Sequence, residues 1–208
     1  MAVRYITRCF FIKKADQGED SRLFTVYTKD FGKLNILGRA IRKIRSKLKS
    51  GAEIFCLSEI EFIQGKNRKT MTGAVLIESF PSIRKDLRKL RVARQIAETV
   101  DELAVKEEND GATWALLEEV FNKLEKWELK NCEIVYYYFF WNFVAILGYG
   151  PEFHDCAINK IKVDCDAVKI IKTFLRKDWP ILSRLRITPS HQKLLKIVSE
   201  WYYKNITA

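Results

Sequence analysis

Residues 70–104 read TMTGAVLIESFPSIRKDLRKLRVARQIAETVDELA, and Pro81 divides them into two kinds of chain. Before it, Thr70 to Phe80 has the composition of a strand. After it, Ile83, Leu87, Leu90, Ala93, Ala97, Val100 and Ala104 advance by three or four residues, which places them on one face of a helix. The period of the chain therefore changes from 2 to 3.6 at this proline.

Upstream, the same strand pattern recurs. Ala52 to Ile63 lies across the polar turn Gln64 to Lys69. Leu34 to Leu37 follows the tight turn Asp30-Phe31-Gly32-Lys33, where a glycine supplies the positive φ such turns need. Leu23 to Thr28 and Val3 to Lys13 flank the polar turn Asp16 to Asp20. Five short strands joined by turns suit a small closed barrel, for which the OB-fold is the common solution.

Downstream, Asn109-Asp110-Gly111 breaks the first helix, and Trp114, Leu117, Phe121, Leu124 and Trp127 mark a second. Ile134 to Leu147 is a third that stops at Gly148, with Pro151 just beyond. At roughly 14 residues it falls short of the ~20 that span a bilayer, so it reads as a buried core helix. Asp164 or Asp166 caps a fourth helix that ends before Trp179-Pro180. Thr188-Pro189 opens a last one, ending near Tyr203. The expected fold is α+β, a five-stranded OB-fold barrel over residues 1–80 followed by an all-helical domain over 81–208.

With 37 Lys and Arg against 26 Asp and Glu, the 208-residue chain carries a formal charge of +11. The excess is uneven, because up to Phe80 there are 16 basic residues and only 8 acidic ones. Clustered cations of this kind favour a polyanionic partner, with nucleic acid ahead of an anionic membrane surface. The five cysteines sit at irregular spacings, and Met1 to Lys14 holds only a short apolar run broken by Arg8. Both features predict a cytoplasmic chain with reduced thiols.

The densest cluster is Lys29, Lys33, Arg39, Arg42, Lys43, Arg45, Lys47 and Lys49, eight cations with Asp30 as the one acid among them. It falls between two barrel strands, where a basic groove combined with aromatic platforms binds single strands. Tyr27 and Phe31 stand near its start as candidate platforms, although for each the core reading is the favoured one. A second cluster on the first helix places Arg84, Arg88 and Arg91 on one stripe by their spacing. The alternative for either cluster is an ordinary solvated face. No Gly-rich phosphate loop, nucleophile elbow or paired-histidine motif occurs, so no catalytic constellation is expected. Asp164-x-Asp166 could hold Mg²⁺, but capping a helix N-terminus explains it better.

These residues carry a resemblance. Thr28-Lys29-Asp30-Phe31-Gly32-Lys33, then Gly38-Arg39-Ala40-Ile41-Arg42-Lys43 and Ser46-Lys47, resembles the bacterial recombination mediator RecO family. There a T-x-x-x-G-K turn precedes a G-x-R-basic-x-x-S segment. Ala93 to Leu103 is similar to the family's first helix after the barrel, and Leu147-Gly148-Tyr149-x-Pro151-Glu152-Phe153-x-x-Cys156 to its L-G-Y-x-P-x-L-x-x-C element.

The resemblance implies a DNA repair and recombination mediator, not an enzyme, that binds single- and double-stranded DNA and anneals complementary strands. It implies two protein partners, RecR and the acidic tail of single-strand binding protein, so that the recombinase can be loaded. No membrane and no small-molecule substrate enter this picture. The alternative is an OB-fold adaptor in a protein complex without a direct DNA role. Many members of the family carry a four-cysteine zinc site beginning at the cysteine of the Gly-Tyr-x-Pro element. This chain keeps Cys156 but has no C-x-x-C, and His154, Cys156 and Cys165 offer three ligands where structural zinc takes four. The expectation is therefore no metal and no cofactor.

Overall fold

The computed structural model describes residues 3–43, 46–126, 131–159, 161–185 and 187–207. They form two compact units, Met1–Glu128 and Leu129–Ala208.

The first unit is built on five strands, β1 (Arg4–Gln17), β2 (Ser21–Thr28), β3 (Gly32–Gly38), β4 (Leu57–Gln64) and β5 (Lys69–Glu78). They close into a barrel in the order β1-β2-β3-β5-β4. Four of the five neighbouring pairs are antiparallel; β3 and β5 run parallel through Ile36↔Lys69 and Leu37↔Thr70. Side chains alternate across each strand, so Cys9, Phe11, Phe24, Val26, Leu34, Ile36, Ile60, Phe62 and Met71 fill the interior. Closure is what a short, strongly twisted sheet achieves when it leaves no long unpaired edge.

Two strand limits differ from the expectation. Residues 52–56 are not strand, because Ala52 belongs to a loop that is buried in the barrel core. The same loop is tied to β1, Phe55 N donating to Phe11 O at 2.9 Å. At the other end β5 stops at Glu78, and Phe80 takes a left-handed φ of 48° that turns the chain into the helices.

Three helices complete this unit, α1 (Pro81–Lys85), α2 (Leu87–Leu103) and α3 (Gly111–Lys126). The single helix expected after Pro81 is two, interrupted at Asp86. That residue is extended, and its carboxylate accepts from Arg88 N at 2.8 Å as the N-cap of α2. Leu87, expected on the buried stripe, is 80% exposed as a result. Ala93, Ala97 and Val100 are buried as the spacing predicts, and Val92 and Ile96 complete the buried face of α2. Phe10 points out of the barrel and packs with Phe80, Trp114 and Phe121, which joins β1 to α1 and α3. Bonds from Arg88 hold the Asp86 carboxyl down at about 2. Its folded pKa lies below the ordinary 3.8, so the cap is intact above that value and is lost as pH falls towards 2.

The second unit contains α4 (Glu133–Ile146), the short strands β6 (Phe153–His154), β7 (Ala157–Ile158) and β8 (Ile161–Lys162), then α5 (Cys165–Leu175), α6 (Trp179–Arg184) and α7 (Pro189–Thr207). As its composition predicts, α4 is the core helix: Tyr138, Phe139, Phe140, Trp141, Phe143 and Val144 are fully buried. Asn142 is accommodated by donating to Tyr138 O at 2.9 Å and Phe174 O at 3.1 Å. Asp164 caps α5 through Asp166 N at 2.8 Å, which is the capping role expected of this pair. Trp179-Pro180 opens α6 instead of merely following a helix, with Asp178 as its cap, and α7 continues to Thr207. Trp127, expected on the second helix, lies outside the described residues. No described helix is long and apolar enough to cross a membrane.

The cysteines depart from the expectation of reduced thiols. Cys156 and Cys165 form a disulfide, with Cα atoms 4.6 Å apart, tying the β6–β7 turn to the start of α5. Cys9, Cys56 and Cys132 are free and buried. Spacing alone did not reveal the pair, because the two short strands between them, β7 and β8, fold back on each other and bring the two ends together. Closing a loop of this length is worth on the order of 2–3 kcal/mol. Thiol titration in denaturant should therefore read three groups before reduction and five after; five from the start would refute the bond.

Candidate nucleic-acid interface

The outer surface of β2 and β3 carries a groove. Just after α2, Lys106 forms a parallel bridge to Lys33, and Glu107 N donates to Lys33 O at 3.0 Å. Residues 106–108 thereby act as a short extra strand beside the start of β3, where β5 does not reach. Gly32 makes the approach possible: a Cβ there would meet the Glu108 carbonyl, and its φ of +62° is one that L side chains rarely adopt.

Two cavities of about 520 and 370 Å³ make up the groove, and both are lined by Leu23, Lys33, Asn35 and Lys106. The larger extends over Lys66, Asn67 and Arg68 in the β4–β5 turn and Lys69 at the start of β5, and the smaller over Lys13, Thr25 and Asp101. This is the surface, strands 2 and 3 with a flanking β4–β5 loop, that OB-folds use for oligonucleotides.

Six cations line the groove, with Asp101 and Glu107 as its carboxylates. Some of the charge is already matched. Lys13 Nζ meets the Asp101 carboxylate at 2.8 Å, which raises the pKa of the lysine. Lys69 Nζ meets Glu107 at 2.5 Å. Lys66, Arg68 and Lys106 have no ion pair among the described residues and supply the excess positive charge.

The expected site residues divide accordingly. Lys33 is only 5% exposed and donates to Asp101 O at 2.6 Å; burial lowers its pKa. It supports the groove floor and is not the surface cation that was expected. Lys29 is exposed in the β2–β3 turn, and Arg39, Lys47 and Lys49 are exposed in the loop after β3. Arg42 and Lys43 turn back onto the β1–β2 turn, pairing with Asp16 at 3.6 Å and Asp20 at 3.3 Å. Arg45 lies outside the described residues.

Tyr27 belongs to the buried set: it is 2% exposed, and burial pushes its phenol up to about 12. Phe31 is half-buried against Tyr5 and Phe62.

The expected Arg84–Arg88–Arg91 stripe is broken by the interruption at Asp86. Arg84, on α1, donates to Ser79 O at 3.0 Å and Ile54 O at 2.7 Å, fastening the helix to the barrel. Arg88 pairs with Asp86 at 2.9 Å, while Arg91 is exposed. His154 is exposed, and among the described residues no group of three or more His, Cys, Asp and Glu is placed to hold a metal ion.

Sequence reasoning missed Lys66, Arg68 and Lys106. The first two were visible as the polar turn Gln64 to Lys69. Lys106 had no sequence signal, because its position depends on the bridge to Lys33.

A closed five-stranded barrel of this order, followed by helices, defines an OB-fold protein with a helical C-terminal part. Residues 1–80 match the family model described as Recombination protein O N terminal, and residues 84–166 the one described as Recombination protein O C terminal. A DNA repair protein RecO of Dehalococcoides mccartyi is 30% identical across 87% of this chain and 82% of its own length. Those of Acetivibrio thermocellus and Thermoanaerobacter sp. are 28% and 24% identical, over 70% and 88% of this chain and 57% and 84% of theirs. The chain belongs to the RecO family and so has a role in DNA repair.

Proposed function

We propose that this chain is a recombination mediator that binds single- and double-stranded DNA in the groove on β2 and β3 and anneals complementary strands. With RecR it would help load the recombinase onto single-stranded DNA covered by single-strand binding protein, whose acidic tail it would contact. It works in the cytoplasm by binding, without catalysis. The observation that carries this reading is the groove itself: free Lys66, Arg68 and Lys106 around β3 of an OB barrel in a family of repair proteins. Cations in such a groove neutralise phosphates and so lower the repulsion that keeps two complementary strands apart.

The test is a titration of fluorescent single-stranded oligonucleotides at several salt concentrations. With about five phosphates neutralised, log K should fall against log salt with a slope near −3.5, at roughly 0.7 per phosphate. Affinity should vary little with sequence, since the charges carry no base-reading geometry. A flat salt dependence would count against the groove.

A further inference from the structure

Beside the groove, at one end of the barrel, lies a smaller cavity of about 200 Å³ lined by Tyr5, Phe31 and Phe62. Tyr5 stacks on Phe62, ring centres 5.3 Å apart and planes 22° from parallel. Phe31 stands edge-on to both, at 82° to Tyr5 and 84° to Phe62. The turn holds Phe31 there, its backbone N–H donating to Thr28 Oγ1 at 3.0 Å.

Gln64, Lys69 and Glu107 line this pocket and the larger groove cavity alike, so the two spaces adjoin. Resting on the DNA-binding reading above, we propose that the pocket takes one unstacked nucleobase of a single strand whose phosphates lie along the groove.

Size and charge both favour this occupant. The cavity is below the ~300 Å³ at which drug-sized sites begin, and suits a single ring system. Half-buried Tyr5 and Phe31 present ring surface to it, backed by the buried Phe62, and stacking on such rings is open to any base because every base has a π-face. On the rim, Lys69 and Glu107 neutralise each other at 2.5 Å, so the pocket favours a neutral ligand, whereas Lys66, Arg68 and Lys106 leave the groove cationic. Gln64 adds an amide able both to donate to and to accept from a base edge. A strand that places its phosphates in the groove and one base in the pocket satisfies both environments.

The experiment compares labelled oligothymidylate with an abasic oligomer of the same length, using the full chain at fixed salt. Losing the base should weaken binding about tenfold, within the range measured for base–aromatic stacking. Phe31→Leu keeps an apolar side chain in the turn but removes the ring. It should abolish the difference by weakening thymidylate binding while leaving the abasic oligomer unchanged; Tyr5→Leu serves the same purpose if that variant does not fold. Equal affinity of the native protein for both oligomers, with a steep salt dependence, would overturn the pocket and leave the groove standing. No binding of either would overturn both. A thymidylate preference that survives in the folded variants would place the stacked base elsewhere and leave the pocket to another occupant, such as an apolar side chain of a partner protein.

Discussion

Replacing Gly32 by Ala should destabilise the first unit by about 2–5 kcal/mol, whereas Gly18→Ala should cost only about 1–2 kcal/mol. Both glycines have a left-handed backbone, with φ +62° and +67°, so both substitutions incur the ~1–2 kcal/mol penalty for an L side chain there. Only at Gly32 is the space also taken. The Gly18 Cβ would meet nothing within 4 Å, while that of Gly32 would collide with the Glu108 carbonyl. Residues 106–108 would have to leave β3, giving up the Glu107 N to Lys33 O hydrogen bond, worth ~1 kcal/mol, or the barrel would have to absorb overpacking of ~1–3 kcal/mol. In thermal melts, Gly32→Ala should fall by ~10 °C or more and Gly18→Ala by only a few degrees. Equal losses would show that the segment after α2 is not held against the turn. Because Lys106 lies on that segment, the Gly32 variant should also bind single strands more weakly under conditions where it remains folded.

This contrast shows what the sequence can and cannot reveal. The turn Asp30-Phe31-Gly32-Lys33 is readable because positive φ is a local demand, met by the residue itself. That Gly32 also admits a distant segment is not local, and no spacing in the sequence records it. The barrel was legible for the same reason as the turn: alternation is a property of consecutive residues, and five alternating runs leave few closed arrangements.

Errors arose where a neighbour overrode the pattern. Leu87 fits the helical spacing from Ile83, yet Asp86 takes the capping position and resets the helix, turning Leu87 outward. Lys33 reads as one more cation in a basic run, but alternation along β3 points it beneath α2, where Asp101 O receives it. Charge counting marked a basic run without identifying which of its cations the fold pairs. That depends on Asp16 and Asp20, which are distant from Arg42 and Lys43 in sequence and adjacent to them in the barrel.

The unpaired cations decide the final expected result. Replacing Lys66, Arg68 and Lys106 together by Ala should weaken single-stranded DNA binding about 100-fold at 0.1 M salt, since each lost phosphate contact removes roughly 0.7 of a decade there. The salt slope should fall by about 2 in magnitude. Replacing Arg39, Arg42 and Lys43 together removes the same formal charge with a smaller effect, about fivefold. Two of these three already spend their charge on Asp16 and Asp20, and only Arg39 lacks an ion pair among the described residues. All six side chains are at the surface, so melting temperatures should stay close to native, at no more than ~0.5 kcal/mol per substitution. Anisotropy titrations of both triple variants at three salt concentrations separate the cases. If the loop variant loses as much affinity as the groove variant, the DNA track runs along residues 39–49; if only the groove variant loses it, the track follows the outer surface of β2 and β3, where the extra strand-like segment places Lys106.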